Sequence, residues 1–153
     1  MKAVVAVLVL VLVAGCSSAR PRARPSSGNP PGSGKASCAE LYARLQQVSA
    51  TVSSSSELLT NSLGSQQLSA GIALEEEQLR QSARLMASAP VPDTLAAANR
   101  QLIGALQAMA ADFARAKAPA ARSDYEAASQ AMTDKSAVQN IVDASQKIEA
   151  ACA

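Results

Sequence analysis

The sequence predicts an all-α protein, an antiparallel up-down-up-down four-helix bundle closed by a terminal disulfide. Three observations predict the bundle. Apolar side chains recur at three- and four-residue steps from Cys38 onward, and no stretch alternates with the period of two that marks a half-buried strand. The chain has 34 alanines among its 153 residues, one Phe, two Tyr and no Trp. A core of Ala, Leu, Val, Ile and Met favours closely packed helices, because Ala is the best helix former and lets backbones approach. Lastly, three breaks divide residues 38–153 into four stretches of helical length. Short connections between helices make neighbours antiparallel.

The first stretch carries Leu41, Leu45, Val48, Val52 and Leu59 on one stripe. Ser54 and Glu57 form a capping-box pattern, so this helix has a candidate break and restart within Ser53 to Ser56. Leu63-Gly64-Ser65 reads as a helix stop followed by a new N-cap. The second stripe is Leu68, Ile72, Leu79, Ala83 and Met86, with Glu75 or Glu76 at its weak step. Ala89-Pro90-Val91-Pro92 breaks the pattern, and Pro92 suits the first turn of a third helix. That helix has the cleanest stripe, Leu95, Leu102, Leu106, Met109 and Phe113, and Ala118-Pro119 is expected to end it. Ser123 or Asp124 caps a fourth helix with Tyr125, Ala128, Met132, Val138, Ile141, Ser145, Ile148 and Cys152 inward. Thr133 to Ser136 is a candidate kink in it.

Ahead of these helices the composition changes twice. Met1-Lys2 is a small basic start. Ala3 to Ala14 is apolar and uncharged, and Val13-Ala14-Gly15-Cys16 closes it before a polar stretch. Twelve residues are too few for a membrane-spanning helix, which needs about 20. They match the apolar region of a signal peptide behind a basic start. This N-terminus resembles the signal peptide of bacterial lipoproteins, with Val13-Ala14-Gly15-Cys16 as its lipobox. The resemblance implies removal of residues 1–15, diacylation of the Cys16 thiol, and lipid anchoring at the extracytoplasmic face of the cell membrane or outer membrane. Two acyl chains anchor stably where one is marginal.

Residues 16–37 are rich in Pro, Gly and Ser and cannot bury a core. They read as a lipidated, disordered tether that lifts a domain at 38–153 off the membrane. Arg20, Arg22, Arg24 and Lys35 give this segment four positive charges and no acid. Such charges beside an anchor lie near anionic headgroups, at roughly 1 kcal/mol each when close, or simply keep the tether solvated. Gly28 to Lys35 imitates a phosphate-binding loop. Its spacing is one residue too long, Ala36 replaces the required Ser or Thr, and no strand precedes it.

With Cys16 committed to lipid, Cys38 and Cys152 remain as an even pair. Cys38 opens the first helix and Cys152 ends the last. With an even number of up-down helices these positions meet at one end of the bundle. An exported protein reaches an oxidising compartment, so a Cys38–Cys152 disulfide is expected. No Cys-x-x-Cys and no nearby His marks the pair as redox-active.

The chain has no histidine. This removes Ser-His and Cys-His nucleophile pairs, His-ligated metals, and the Glu-x-x-His sites that helical bundles often hold. Glu75-Glu76-Glu77 points in three directions on a helix and reads as a solvated face, with Glu76 and Arg80 as a surface i,i+4 pair. Met86, Met109 and Met132 read as core fillers. No cofactor, metal or nucleic-acid partner is expected, and the net charge is only +2. Ser49, Ser55, Ser56, Asn61 and Glu75 are polar positions on the inner stripes of the first two helices. They weaken that half of the core or form a groove, which Tyr42 and Tyr125 could line. The expected function is non-enzymatic: an envelope lipoprotein that binds another envelope protein as an accessory or structural module. The alternative is a small-ligand or lipid carrier with a cavity between its helices.

Overall fold

The computed structural model describes residues 33–60, 65–132 and 135–153. The described residues form five α-helices and one 3₁₀ turn, with no strand among them. The helices are α1 (Ser33–Thr60), α2 (Ser65–Ala87), α3 (Ala96–Ala121), α4 (Tyr125–Ala131) and α5 (Lys135–Cys152). The 3₁₀ turn, Asp93–Leu95, precedes α3. The expected lipobox, Val13-Ala14-Gly15-Cys16, and most of the segment read as a tether lie outside the described residues.

The expected inner stripe of α1 is buried at Leu41, Leu45, Val48 and Val52, while the Leu59 side chain lies outside the described set. Two expectations for this helix need correction. It starts at Ser33, inside the segment read as tether. Lys35, Ala36 and Ala39 are good helix formers, and they extend the helix back across Gly34, whose cost is about 1 kcal/mol. It also runs unbroken through Ser53 to Ser56. There the Ser54 hydroxyl bonds the preceding turn rather than capping a new helix. Thr51 Oγ1 donates to the Gln47 carbonyl and Ser54 Oγ to the Thr51 carbonyl, each at 2.9 Å.

Helix α2 buries Ile72, Leu79, Ala83 and Met86, with Leu68 half-buried. It stops at Ala87 ahead of Pro90, and its neighbours satisfy its last carbonyls. Arg44 Nη1 on α1 donates to the Leu85 carbonyl at 2.9 Å and to Ser88 Oγ at 2.7 Å. Glu40, one turn earlier, orients that guanidinium at 2.6 Å. Asn99 Nδ2 on α3 donates to the Met86 carbonyl at 3.2 Å. A cation at a helix C-terminus also meets the negative end of its dipole.

Pro92 stands just before the 3₁₀ turn, where the Leu95 amide donates to its carbonyl at 2.9 Å. Helix α3 buries Leu102, Leu106, Met109 and Phe113, and also Ala98, Ala105, Ala110, Ala116 and Ala120. It is the central helix, packed against α2, α4 and α5. Ala118-Pro119 does not end it. The helix continues to Ala121 with Pro119 in its last turn. Termination comes at Ser123, which takes φ 61° in the left-handed region. The Ser123 amide donates to the Ala120 carbonyl at 3.0 Å, and the Asp124 amide to the Pro119 carbonyl at 2.9 Å. This pair of bonds normally forms around glycine. A side chain in that conformation costs roughly 1–2 kcal/mol. Ser123→Gly is therefore expected to raise stability by about 1 kcal/mol, read as a higher thermal midpoint.

Asp124 starts the next helix, its Oδ1 accepting from the Ala127 amide at 3.1 Å. The expected fourth helix is two helices. α4 ends at Ala131, with Met132 as its C-cap, and α5 begins at Lys135. Of the stretch expected to kink, Lys135 and Ser136 lie in the first turn of α5, and Thr133 and Asp134 lie outside the described residues. Tyr125 is exposed at 39%, not on the inner stripe. On α5, Ser145 and Ile148 are buried, while Val138 and Ile141 are half-buried. Cys38 and Cys152 are disulfide-bonded, with Cα atoms 5.3 Å apart. α1 packs against α2 and α5, giving a bundle-like whole.

Candidate functional site

An apolar slot lies between α1, α3 and α5. It is half-open and has a volume of about 50 Å³. Leu45, Val48 and Val52 form one wall, and Leu102, Leu106 and Met109 form its floor. Val138, Ile141 and Val142 form the wall on α5, and Ser49 and Ser145 complete the lining. The sequence explains the gap. Ser49 and Ser145 are small side chains on inward-facing turns whose neighbours are Leu, Val and Ile. Each leaves volume that a branched aliphatic would fill, and α1–α5 is also a slighter pairing than α2–α3 or α3–α5. The slot is aliphatic throughout apart from two hydroxyls and Met109, with no charge and no aromatic ring.

This places Ser49 at a concavity, as expected, but on a different seam. A groove or a weakly packed half-core was expected along the first two helices; the concavity lies between α1 and α5, over α3. Glu75 is not part of it. That side chain is buried at 1% exposure on α2. Tyr42 is half-buried and Tyr125 exposed, and neither lines the slot. The side chains of Ser55, Ser56 and Asn61 lie outside the described residues.

The acidic run is also placed differently from expectation. Glu75 and Glu76 are both buried, and only Glu77 faces water. The Glu76–Arg80 pair forms at 2.8 Å, but Lys117 of α3 also reaches Glu76 Oε2, at 2.6 Å. Glu76 is thus a clasp between α2 and α3 rather than a surface ornament. Glu77 accepts from Arg84 at 2.8 Å and from Gln81 at 3.0 Å. The Lys117 hydrogen bond holds the Glu76 carboxyl below its ordinary value of 4.5. The charges of Lys117 and Arg80 assist, while burial opposes. A carboxyl depressed in the folded state stabilises fully above the unfolded value and loses that contribution as pH falls through the folded one. The thermal midpoint should therefore decline below pH 4.5, and less steeply in Glu76→Gln. Parallel melts from pH 6 to about pH 3 test this.

Sequence reasoning missed Asp112, which is buried at 3% exposure and paired with Arg115. Its flanking residues Met109 and Phe113 mark that turn as apolar, and the acid is hidden among them. Met86 and Met109 are buried, and Met132 is half-buried against the core. Among the described residues, no three Cys, Asp or Glu side chains converge. No described helix is long and apolar enough to cross a membrane. Beside the disulfide, a shallow concavity of about 420 Å³ is bordered by Lys35, Pro92 and Thr94. Cys16, the expected lipidation site, is outside the described residues. No known protein family, characterised protein or solved structure matches this chain.

Proposed function

We propose that this chain is a non-enzymatic lipoprotein of the bacterial envelope, held on the extracytoplasmic face through acylated Cys16. Its domain acts by binding another envelope protein, as an accessory or structural module. The observation that carries this reading is the N-terminus: a basic start, twelve apolar residues, then Val13-Ala14-Gly15-Cys16 and a polar stretch. The complete lack of histidine supports a role other than catalysis.

In this reading the domain is an up-down-up-down four-helix bundle whose fourth helix is divided into α4 and α5. Several contacts support it. Arg44 near the start of α1 meets the end of α2. Asn99 near the start of α3 also meets the end of α2. Gln101 near the start of α3 meets Asn140 at 2.9 Å and Lys147 at 3.5 Å on α5. Cys38 at the start of α1 meets Cys152 at the end of α5.

Cell fractionation tests the anchor. The wild-type chain is expected in the membrane fraction, and Cys16→Ser in the soluble fraction. A cleaved Cys16→Ser chain that stays on membranes would overturn the lipid anchor. The apolar slot favours a second reading, a carrier of an aliphatic ligand. Native mass spectrometry of the released chain separates the two. A bare mass supports partner binding, and added mass lost on denaturation supports the carrier.

A further inference from the structure

We propose that the α1–α3–α5 slot binds one hydrocarbon chain, and that its occupant is an acyl chain of the protein's own anchor on Cys16. The proposal rests on acylation of Cys16. Three features point to this occupant. First, the slot is shaped for a thin aliphatic rod. Leu45, Val48 and Val52 follow one another along α1 over two turns, or ~10 Å at ~1.5 Å per residue. The facing residues Val138, Ile141 and Val142 of α5 are half-buried and leave apolar surface uncovered. A volume of about 50 Å³ holds a short row of methylene-sized groups, at roughly 10–15 Å³ for each water-sized sphere. A partner helix does not fit. Nor does water suit an aliphatic lining, since apolar cavities stay dry.

Second, the slot has hydroxyls but no charge. It does not recognise a headgroup or a carboxylate. It selects the methylene portion of a chain whose polar end is held elsewhere, and a chain attached to Cys16 meets that condition.

Third, the anchor reaches. Sixteen residues, 17–32, separate Cys16 from the first residue of α1. At full stretch they span ~50 Å, at 3.3–3.6 Å per residue. A coil of that length averages ~20–24 Å end to end. The near end of the slot, Leu45, lies twelve residues along α1 from Ser33, or ~18 Å. Linker length thus matches the span, the condition under which an intramolecular site is filled most effectively. One chain of the anchor folds back into the slot while the rest stay in the bilayer. The α1–α5 face is thereby drawn onto the membrane.

The test is intramolecular photocrosslinking of the full chain. Cells making the protein are fed a saturated fatty acid bearing a diazirine, and isolated membranes are irradiated. Tryptic peptides are then read by mass spectrometry. Cleavage at Arg and Lys leaves residues 136–147 and 101–115 as separate peptides, one from each of two slot walls. The acylated Cys16 peptide is expected to be joined to both. Ser49→Leu, which fills the slot, should reduce these crosslinks at least ten-fold with the disulfide and thermal midpoint retained. If Cys16 is acylated but crosslinks only to lipid or to another protein, the slot assignment is overturned. Crosslinks unchanged in Ser49→Leu overturn it equally. If Cys16 has no acyl mass, the anchor reading itself falls.

Discussion

Reduction of the Cys38–Cys152 bridge is expected to lower the melting temperature by roughly 15–20 °C. The bridge joins residues 114 apart in sequence. In the chain-entropy account, closing so long a loop disfavours the unfolded ensemble by on the order of 4–5 kcal/mol. A domain of this size shifts by roughly 3–5 °C per kcal/mol. The native state adds a local reason. α1 and α5 meet along a slighter pairing than α2 with α3 or α3 with α5, and part of their seam is the open slot. Without the bridge, the start of α1 and the end of α5 are free to fray. Melts with and without reductant measure the effect, and Cys38→Ser/Cys152→Ser should match the reduced protein. A midpoint indifferent to reductant would overturn the stapling role.

Leu79→Ala is expected to cost about 2–5 kcal/mol. Leu79 is completely buried on α2, within the cluster that also contains Ile72, Leu102 and Leu106. Truncation removes the transfer free energy of the lost atoms and leaves a cavity between packed helices that collapse only in part. Leu74 stands five residues earlier on the same helix and is 42% exposed. Leu74→Ala should change stability by less than about 0.5 kcal/mol. The same chemical change on one helix separates burial from helix propensity. Urea titrations of both variants make the comparison, and equal costs would contradict the assigned face of α2.

The helical class and most of the core were legible because packing and periodicity agree along α1, α2 and α3. Leu41 to Val52, Ile72 to Met86 and Leu102 to Phe113 fall inward where a 3.6-residue period puts them. The terminal disulfide was legible in the two cysteines that flank the helical region, although the described helices number five and not the four from which the pairing was reasoned. Helix ends were less legible, because they depend on groups distant in sequence. Arg44 and Asn99 complete the end of α2 from two other helices, and no local pattern announces either. Pro119 was read as a stop, yet the helix runs two residues past it, to Ala121. The left-handed turn at Ser123 lacks the glycine that would have marked it. The slot was half legible. Ser49 flagged a weak place in α1, but the opposite wall comes from α5, where Ser145 read as one more inward position. Which seam stays open is a property of three helices together. Glu76 is the clearest miss. Its pairing with Arg80 was readable, but its burial depends on Lys117 arriving from α3.

The disulfide also decides how the domain bears a load. A pull applied at Ser33 and resisted at Ala153 reaches Cys38 through the first turn of α1 and leaves at Cys152. The Cα atoms of the two cysteines are 5.3 Å apart. Tension passes through the sulfur–sulfur bond and bypasses the helical chain between the two cysteines. Under such a force the span from Cys38 to Cys152 is a single short link, and the helices within it are shielded, while residues 33–37 of α1 carry the load.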